Sequence, residues 1–196
     1  MKKITLITGS IFIIIILGLS GCVNPSNKTL NVPLNEIALT QDDVGLYKKD
    51  GKHITEPYTA ENATGNDISW NVIEHYQSLF AENSSGPATQ AADSVIQSIT
   101  KLESKDKAQY YLDLKQKHLV EVLNYSAISI QTIGDKSFYL KKITYSLEGE
   151  IVVAHMVVFS IADVVVVLGG PATDDSTFIG YAKIIEANIM DAINKS

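Results

Sequence analysis

The first 22 residues constrain this chain more than any other stretch. Lys2 and Lys3 precede an apolar segment, Ile4 to Leu19, interrupted only by Thr5, Thr8, Ser10, Gly9 and Gly18. Its centre is Ile11-Phe12-Ile13-Ile14-Ile15-Ile16-Leu17, and Leu19-Ser20-Gly21-Cys22 closes it. Charge, apolar run and small residues, in that order, are the layout of an export signal. The lysines hold the start on the cytoplasmic side while the apolar run enters the membrane. Whatever follows is expected to fold on the far side. The run from Ile4 to Leu19 has 16 residues, short of the ~20 that a spanning helix needs. An uncleaved anchoring helix is the alternative, and it too puts the domain outside.

The end of this leader, Leu19-Ser20-Gly21-Cys22, resembles the lipobox of prokaryotic lipoproteins at every position. The resemblance implies a lipidated Cys22 thiol, cleavage between Gly21 and Cys22, and a bacterial or archaeal protein held at the cell membrane on its extracytoplasmic face. Cys22 is the only Cys, so no intramolecular disulfide can form. A mature chain of 175 residues would follow, and loss of Lys2 and Lys3 would take the formal charge from −6 to −8. An acidic domain is repelled by an anionic lipid surface, so membrane lipid on Cys22 would have to hold it. One acyl chain binds only marginally, whereas two hold stably, as a diacylglyceryl-type modification would provide.

Composition narrows the function classes. Hydrophobic residues are 45% of the chain and charged residues 19%, which is globular rather than disordered. All 16 basic residues are Lys, so no guanidinium clamp on phosphate or carboxylate can form. The net charge of −6 argues against nucleic acid as a partner. We expect a signal peptide over 1–21, a flexible polar tether over 22–36, and one domain over 37–196.

Periodicity sketches that domain. Ala38 to Gly45 reads as one helical turn, with Thr40 as N-cap, Asp43 at the third position and Gly45 at the end. Leu46 to Ile54 reads as a hairpin about Asp50-Gly51, and 56–67 as loop. Strands are expected over Ser69–Phe80 and Ser94–Glu103, the second with a helix over Ala88–Leu102 as its alternative. Ser104 caps a helix over Lys105–Val122. Ile133-Gly134-Asp135 turns into a strand over Ser137–Tyr145, and Glu148-Gly149 turns back into Ile151–Phe159. Ser160 to Asp163 is the next turn. Val164-Val165-Val166-Val167-Leu168 returns, a run that implies burial on both faces, or one face on helices and the other on lipid or a partner. Gly169-Gly170-Pro171 is expected to break it. Phe178, Tyr181, Ala182, Ile185, Ile189 and Ala192 form the stripe of a last helix, Ser176–Asn194. Blocks of strands and helices with short links predict an α+β domain: an antiparallel sheet of about five strands with two main helices on one face.

The segment Ile133-Gly134-Asp135-Lys136-Ser137-Phe138, the Val-Val-Phe strand, the short turn, the polyvaline strand and the terminal helix together resemble a group of prokaryotic extracytoplasmic lipoprotein and sensor-like domains. Exported domains of some receptor kinases are among them. The resemblance spans Asp93 to Ile193. Members often carry Arg-x-Gly-Asn in the turn where this chain has Ser160-Ile161-Ala162-Asp163. The resemblance implies a fold, with a groove between sheet and loops as a binding place, and no reaction.

The chemistry-bearing residues form no local motif. His53, His75, His118 and His155 lie more than four residues apart, so no local metal pair exists. His118 and His75 are expected at the surface, and His155 in the core, hydrogen-bonded. No Gly-x-Ser-x-Gly elbow is present. Asp42-Asp43 and Asp174-Asp175 are adjacent pairs whose side chains diverge, and the second suits the positive start of a helix. Gly169-Gly170 lacks the Gly-Lys-Ser/Thr that a phosphate loop needs. The nine Tyr, Tyr110, Tyr111, Tyr125, Tyr139 and Tyr145 among them, suit amphipathic faces first and an aromatic pocket second. Asn27, Asn62, Asn83, Asn124 and Asn194 match the N-glycosylation acceptor pattern, which matters only in a host that glycosylates exported proteins. No cofactor and no metal is expected. The expected function is a non-enzymatic, membrane-tethered module for a small ligand or an envelope protein. The alternatives are a structural envelope component and an enzyme whose site assembles in space around His155, Asp135 and Tyr139.

Overall fold

The computed structural model describes residues 29–54, 58–60, 70–82, 94–145, 149, 151–171 and 175–195. The leader and Cys22 lie outside them. The elements run α1 (Leu34–Ile37), α2 (Gln41–Val44), β1 (Tyr47–Ile54), β2 (Tyr58–Ala60), β3 (Trp70–Ala81), β4 (Ser94–Leu102), α3 (Lys105–Glu121), β5 (Ser126–Ile128), β6 (Lys136–Tyr145), β7 (Ile151–Ile161), β8 (Val164–Pro171) and α4 (Asp175–Lys195). The fold is α+β, as expected. The sheet is larger than expected, with seven antiparallel strands in the order β1-β3-β4-β8-β7-β6-β5 and β2 added beside β3.

β8 explains the layering. Val164, Val166 and Leu168 belong to one core with α1 and α4, while Val165 belongs to a second with α3. Strand side chains alternate between faces, so a central strand apolar at every position needs cover on both. The helices therefore take opposite faces, which corrects the expectation of one helical face. Phe178, Ala182, Ile185, Ile189 and Ile193 of α4 pack on Tyr139, Val157 and Phe159. Ala108, Leu112 and Leu119 of α3 pack on Phe138, Leu140 and Val158. Ser104 caps α3 by accepting from the Lys107 N–H at 3.3 Å.

Four local readings need correction. Leu46–Ile54 is no hairpin: β1 crosses Asp50-Gly51 in a single strand, with Gly51 opposite Ser78 and a bulge after Lys48. The 12-residue β3 offers an edge long enough to take all of β1. Tyr58–Ala60, expected in a loop, pairs with Val72–Trp70. Gly169-Gly170-Pro171 continues β8 instead of breaking it, opposite Met156, His155 and Ala154. A Cβ on Gly170 would lie 2.0 Å from the Ser94 carbonyl oxygen, so glycine lets β8 pass the start of β4.

The fourth correction concerns the tether expected to reach Glu36. Leu30 and Leu34 are fully buried. Residues 30–45 form a strap across the α4 face, held by side chains that grip its backbone. The Leu30 N–H donates to Asp163 Oδ1 at 3.1 Å and its carbonyl accepts from Lys101 Nζ. The Leu34 N–H donates to Glu74 at 2.8 Å. Asn188 donates to the Ile37 carbonyl at 3.2 Å and Tyr181 to that of Val44 at 3.3 Å. Each buried leucine contributes about 2 kcal/mol of transfer free energy. Polar spacing without a period hid this segment, because its anchors follow the groove rather than a helix or strand. Its single turn α2 is as expected: Thr40 and Asp43 form the capping box and Gly45 closes it in the left-handed conformation.

Candidate functional site

β6 and β7 pair so that Lys141 lies opposite His155 and Tyr139 opposite Val157. Odd positions of both strands therefore face α4. A two-residue turn at Glu148-Gly149, as expected from the sequence, would pair Lys141 with Met156, one residue from this register and enough to turn His155 to the other face. The Tyr139 hydroxyl is hydrogen-bonded to His155 Nδ1 and donates to Asp175 Oδ1 at 3.3 Å. His155 Nδ1 lies 3.5 Å from the same oxygen. Lys141 Nζ reaches Asp175 Oδ2 at 2.5 Å. Phe178 stacks on the imidazole at 6.0 Å with an interplanar angle of 11°. Asp175 sits in the first turn of α4, where the helix dipole favours a carboxylate. That role was expected, but the link to His155 was not, because 20 residues separate them in sequence.

The cluster is closed. Tyr139 is 0% exposed and His155 3%, with Lys141 and Asp175 at its solvent edge. These bonds join the start of α4 to β6 and β7. Among the described residues, no group of three or more His, Cys, Asp or Glu side chains could hold a metal ion.

Asp135, expected beside His155 and Tyr139 in the enzymatic alternative, is elsewhere. It accepts from Lys105 Nζ at 2.8 Å and from the Ala162 N–H at 2.9 Å. It immediately precedes β6, four residue steps and about 13 Å from Tyr139. The three side chains are not brought together, which corrects that alternative: an aspartate joins the pair, but it is Asp175.

The remaining candidates scatter. His75 is half-buried and its Nδ1 is 3.0 Å from Thr100 Oγ1, rather than at the surface. Burial first, then the charges of Lys52 and Lys115, push its pKa below 6.5. His118 is also half-buried, and its Nδ1 is buried with no hydrogen-bond partner among the described residues. The side chain of His53 lies outside the described residues. The described tyrosines divide between the two faces: Tyr76, Tyr139 and Tyr181 belong to the α4-side core, Tyr111 and Tyr125 to the α3-side core, and Tyr110 is exposed on α3. Cys22, Gly21, Asn27, Asn62, Asn83 and Asp174 lie outside the described residues. Asn124 is exposed just after α3 with φ +57°, and Asn194 is exposed in the last turn of α4.

The turn between β7 and β8 carries the polar feature that sequence reasoning missed. Asp163 is 2% exposed. Burial raises its pKa above 3.8, against the Leu30 N–H and Lys101, which lower it. This side chain is where the strap is fixed to the sheet. The strap residues Leu30, Leu34, Ile37 and Leu39 cover part of the sheet on its α4 face.

Among solved structures, the chain is similar to the extracellular domain of PknH from Mycobacterium tuberculosis. The TM-score is 0.58 at 12% identity, covering 87% of this chain and 100% of that one. At that identity the likeness is one of fold, and it agrees with the resemblance to exported receptor-kinase domains. No protein-family model matches the chain, and no curated protein matches it. No helix among the described residues is long and apolar enough to cross a membrane.

Proposed function

We propose that this protein is a membrane-anchored extracytoplasmic lipoprotein whose domain is a non-enzymatic module for a small ligand or an envelope protein. The observation that carries the reading is the fold shared with an extracellular receptor-kinase domain, in a chain whose leader ends in Leu19-Ser20-Gly21-Cys22. The buried polar cluster supports the non-enzymatic part. A general acid or base must reach within hydrogen-bond distance of a substrate atom. Tyr139 and His155 are enclosed under α4, and their bonds tie that helix to the sheet.

The test is metabolic labelling with a lipid precursor in the native host. The wild-type protein should take up label and lose residues 1–21. The Cys22→Ser variant should do neither. Label on the variant, or an unlabelled wild-type chain beginning at Met1, overturns the reading.

A further inference from the structure

The strap fixes where the anchored chain enters the domain, and with it which end faces the membrane. Leu30 is held beside the β7–β8 turn by Asp163 and Lys101. Lys101 pairs with Val164 and Lys136 with Ser160, so this end of the sheet also carries the start of β6 and the end of β4. The opposite end carries Tyr145 paired with Ile151. Ile143 and Ile151 there are 67% and 68% exposed.

Two lengths then decide the orientation. The eight residue steps between Cys22 and Leu30 reach about 29 Å at full extension. The ten steps of β7 from Ile151 to Ile161 span about 33 Å. A tether shorter than the sheet cannot let the domain turn over. A tether reaching Glu36 would have about 50 Å and would permit it. Lying flat is opposed by charge, since a mature chain of formal charge −8 is repelled by anionic lipid.

We infer that the domain stands on the membrane on its β7–β8 turn and points the β6–β7 tip, with Ile143 and Ile151, outward. The inference rests on the lipid attachment at Cys22 proposed above, and it identifies the end of the domain that a partner would meet first.

The only Trp of the chain, Trp70, supplies the probe. β3 pairs Val72 with Leu102, which puts Trp70 at the membrane-facing end. The protein, purified from membranes with its own anchor, is placed in phosphatidylcholine–phosphatidylglycerol vesicles containing a lipid with a nitroxide headgroup, a short-range quencher. Mass analysis of the N-terminal peptide reads the lipid on Cys22 separately, so a failed anchor and a failed orientation give different results. Emission from Trp70 should fall by about half, and emission from Ile151→Trp in a Trp70→Phe background should hold, given the ~33 Å between the two ends. In vesicles of phosphatidylcholine alone, where charge does not hold the domain off, twelve Gly/Ser residues inserted between Asn24 and Pro25 should bring quenching to the outer probe as well. Equal quenching of both probes without the insertion, the reverse pattern, or an outer probe indifferent to the insertion overturns the orientation. A chain without lipid on Cys22 overturns the anchor on which it depends.

Discussion

The side chain of Gln97 closes on both main-chain groups of Leu39. Its Oε1 accepts from the Leu39 N–H at 2.9 Å and its Nε2 donates to the Leu39 carbonyl at 3.0 Å. The same nitrogen donates to Ser78 Oγ at 2.6 Å. Gln97 is fully buried, so a central strand grips the strap as a sheet would grip a neighbour, but through a side chain. Gln97→Ala should lower stability by about 2–4 kcal/mol, because it opens a cavity and leaves buried backbone groups unpaired. Gln97→Met, which keeps the volume, should still lose about 2 kcal/mol. Urea unfolding measures both, and a Met variant equal to wild type would show that the bonds are immaterial.

Leu34→Ala should cost about 2–5 kcal/mol in the same measurement, as for any fully buried leucine. A true tether residue would change stability by no more than about 0.5 kcal/mol. This substitution therefore separates strap from tether in one experiment.

Gly170→Ala should cost about 3 kcal/mol by overpacking, since its new methyl meets the Ser94 carbonyl oxygen at 2.0 Å. Gly45→Ala should cost about 1–2 kcal/mol, the ordinary penalty of a left-handed residue. Gly45 has φ +66° but nothing within 4 Å of the added carbon. Gly170 has φ +156° as well, so thermal unfolding of the pair reads what lack of space adds to backbone strain.

His75 should titrate below 6.5 when its ring protons are followed by NMR, because burial and two lysines oppose its charge. The unfolded chain then binds more protons than the folded one between the folded value and 6.5. Stability should rise with pH through that window and be lost as pH falls through it. A His75→Asn variant should show a flatter profile there.

Asp163 should give the opposite slope at acid pH. Its pKa is raised above 3.8 by burial, so the folded chain binds the extra proton. Stability should fall as pH rises from 3.8 to the folded value. Asp163→Asn keeps an acceptor for Leu30 and should remove this decline, as read by urea midpoints across the range.

Much of the fold was legible where one element obeys one period. The stripe of α4 from Phe178 to Ile189, the cap at Ser104, the capping box at Thr40 and the β6–β7 pair are local patterns, and the structure has them. Strand β1 was not legible as a strand, because Lys48, Lys49, Asp50, Gly51 and Lys52 read as a turn. Along a sheet edge those residues can face water while their backbone pairs on one side. The strap was hidden for a different reason. Leu30, Leu34, Ile37 and Leu39 are spaced to suit a groove made by α4, β3 and β4, which does not exist until those elements have packed. Of the polar cluster, Tyr139, Lys141 and His155 share a face only in the register that the folded sheet adopts. Asp175 joins them only because α4 begins over that part of the sheet.

The sequence by itself determined an N-terminal segment of lysines, an apolar run and a single cysteine that resembles a lipobox, and an α+β chain whose central strand is apolar on both faces. These are properties of adjacent residues, and adjacency is what a sequence records. Tertiary structure alone decided that the helices take opposite faces, that Asp135 parts from His155, and that residues 30–36 lie on the domain. Those outcomes depend on contacts between residues as far apart as Leu30 and Asp163, made only when burial of the two cores outweighs the entropy of ordering the chain.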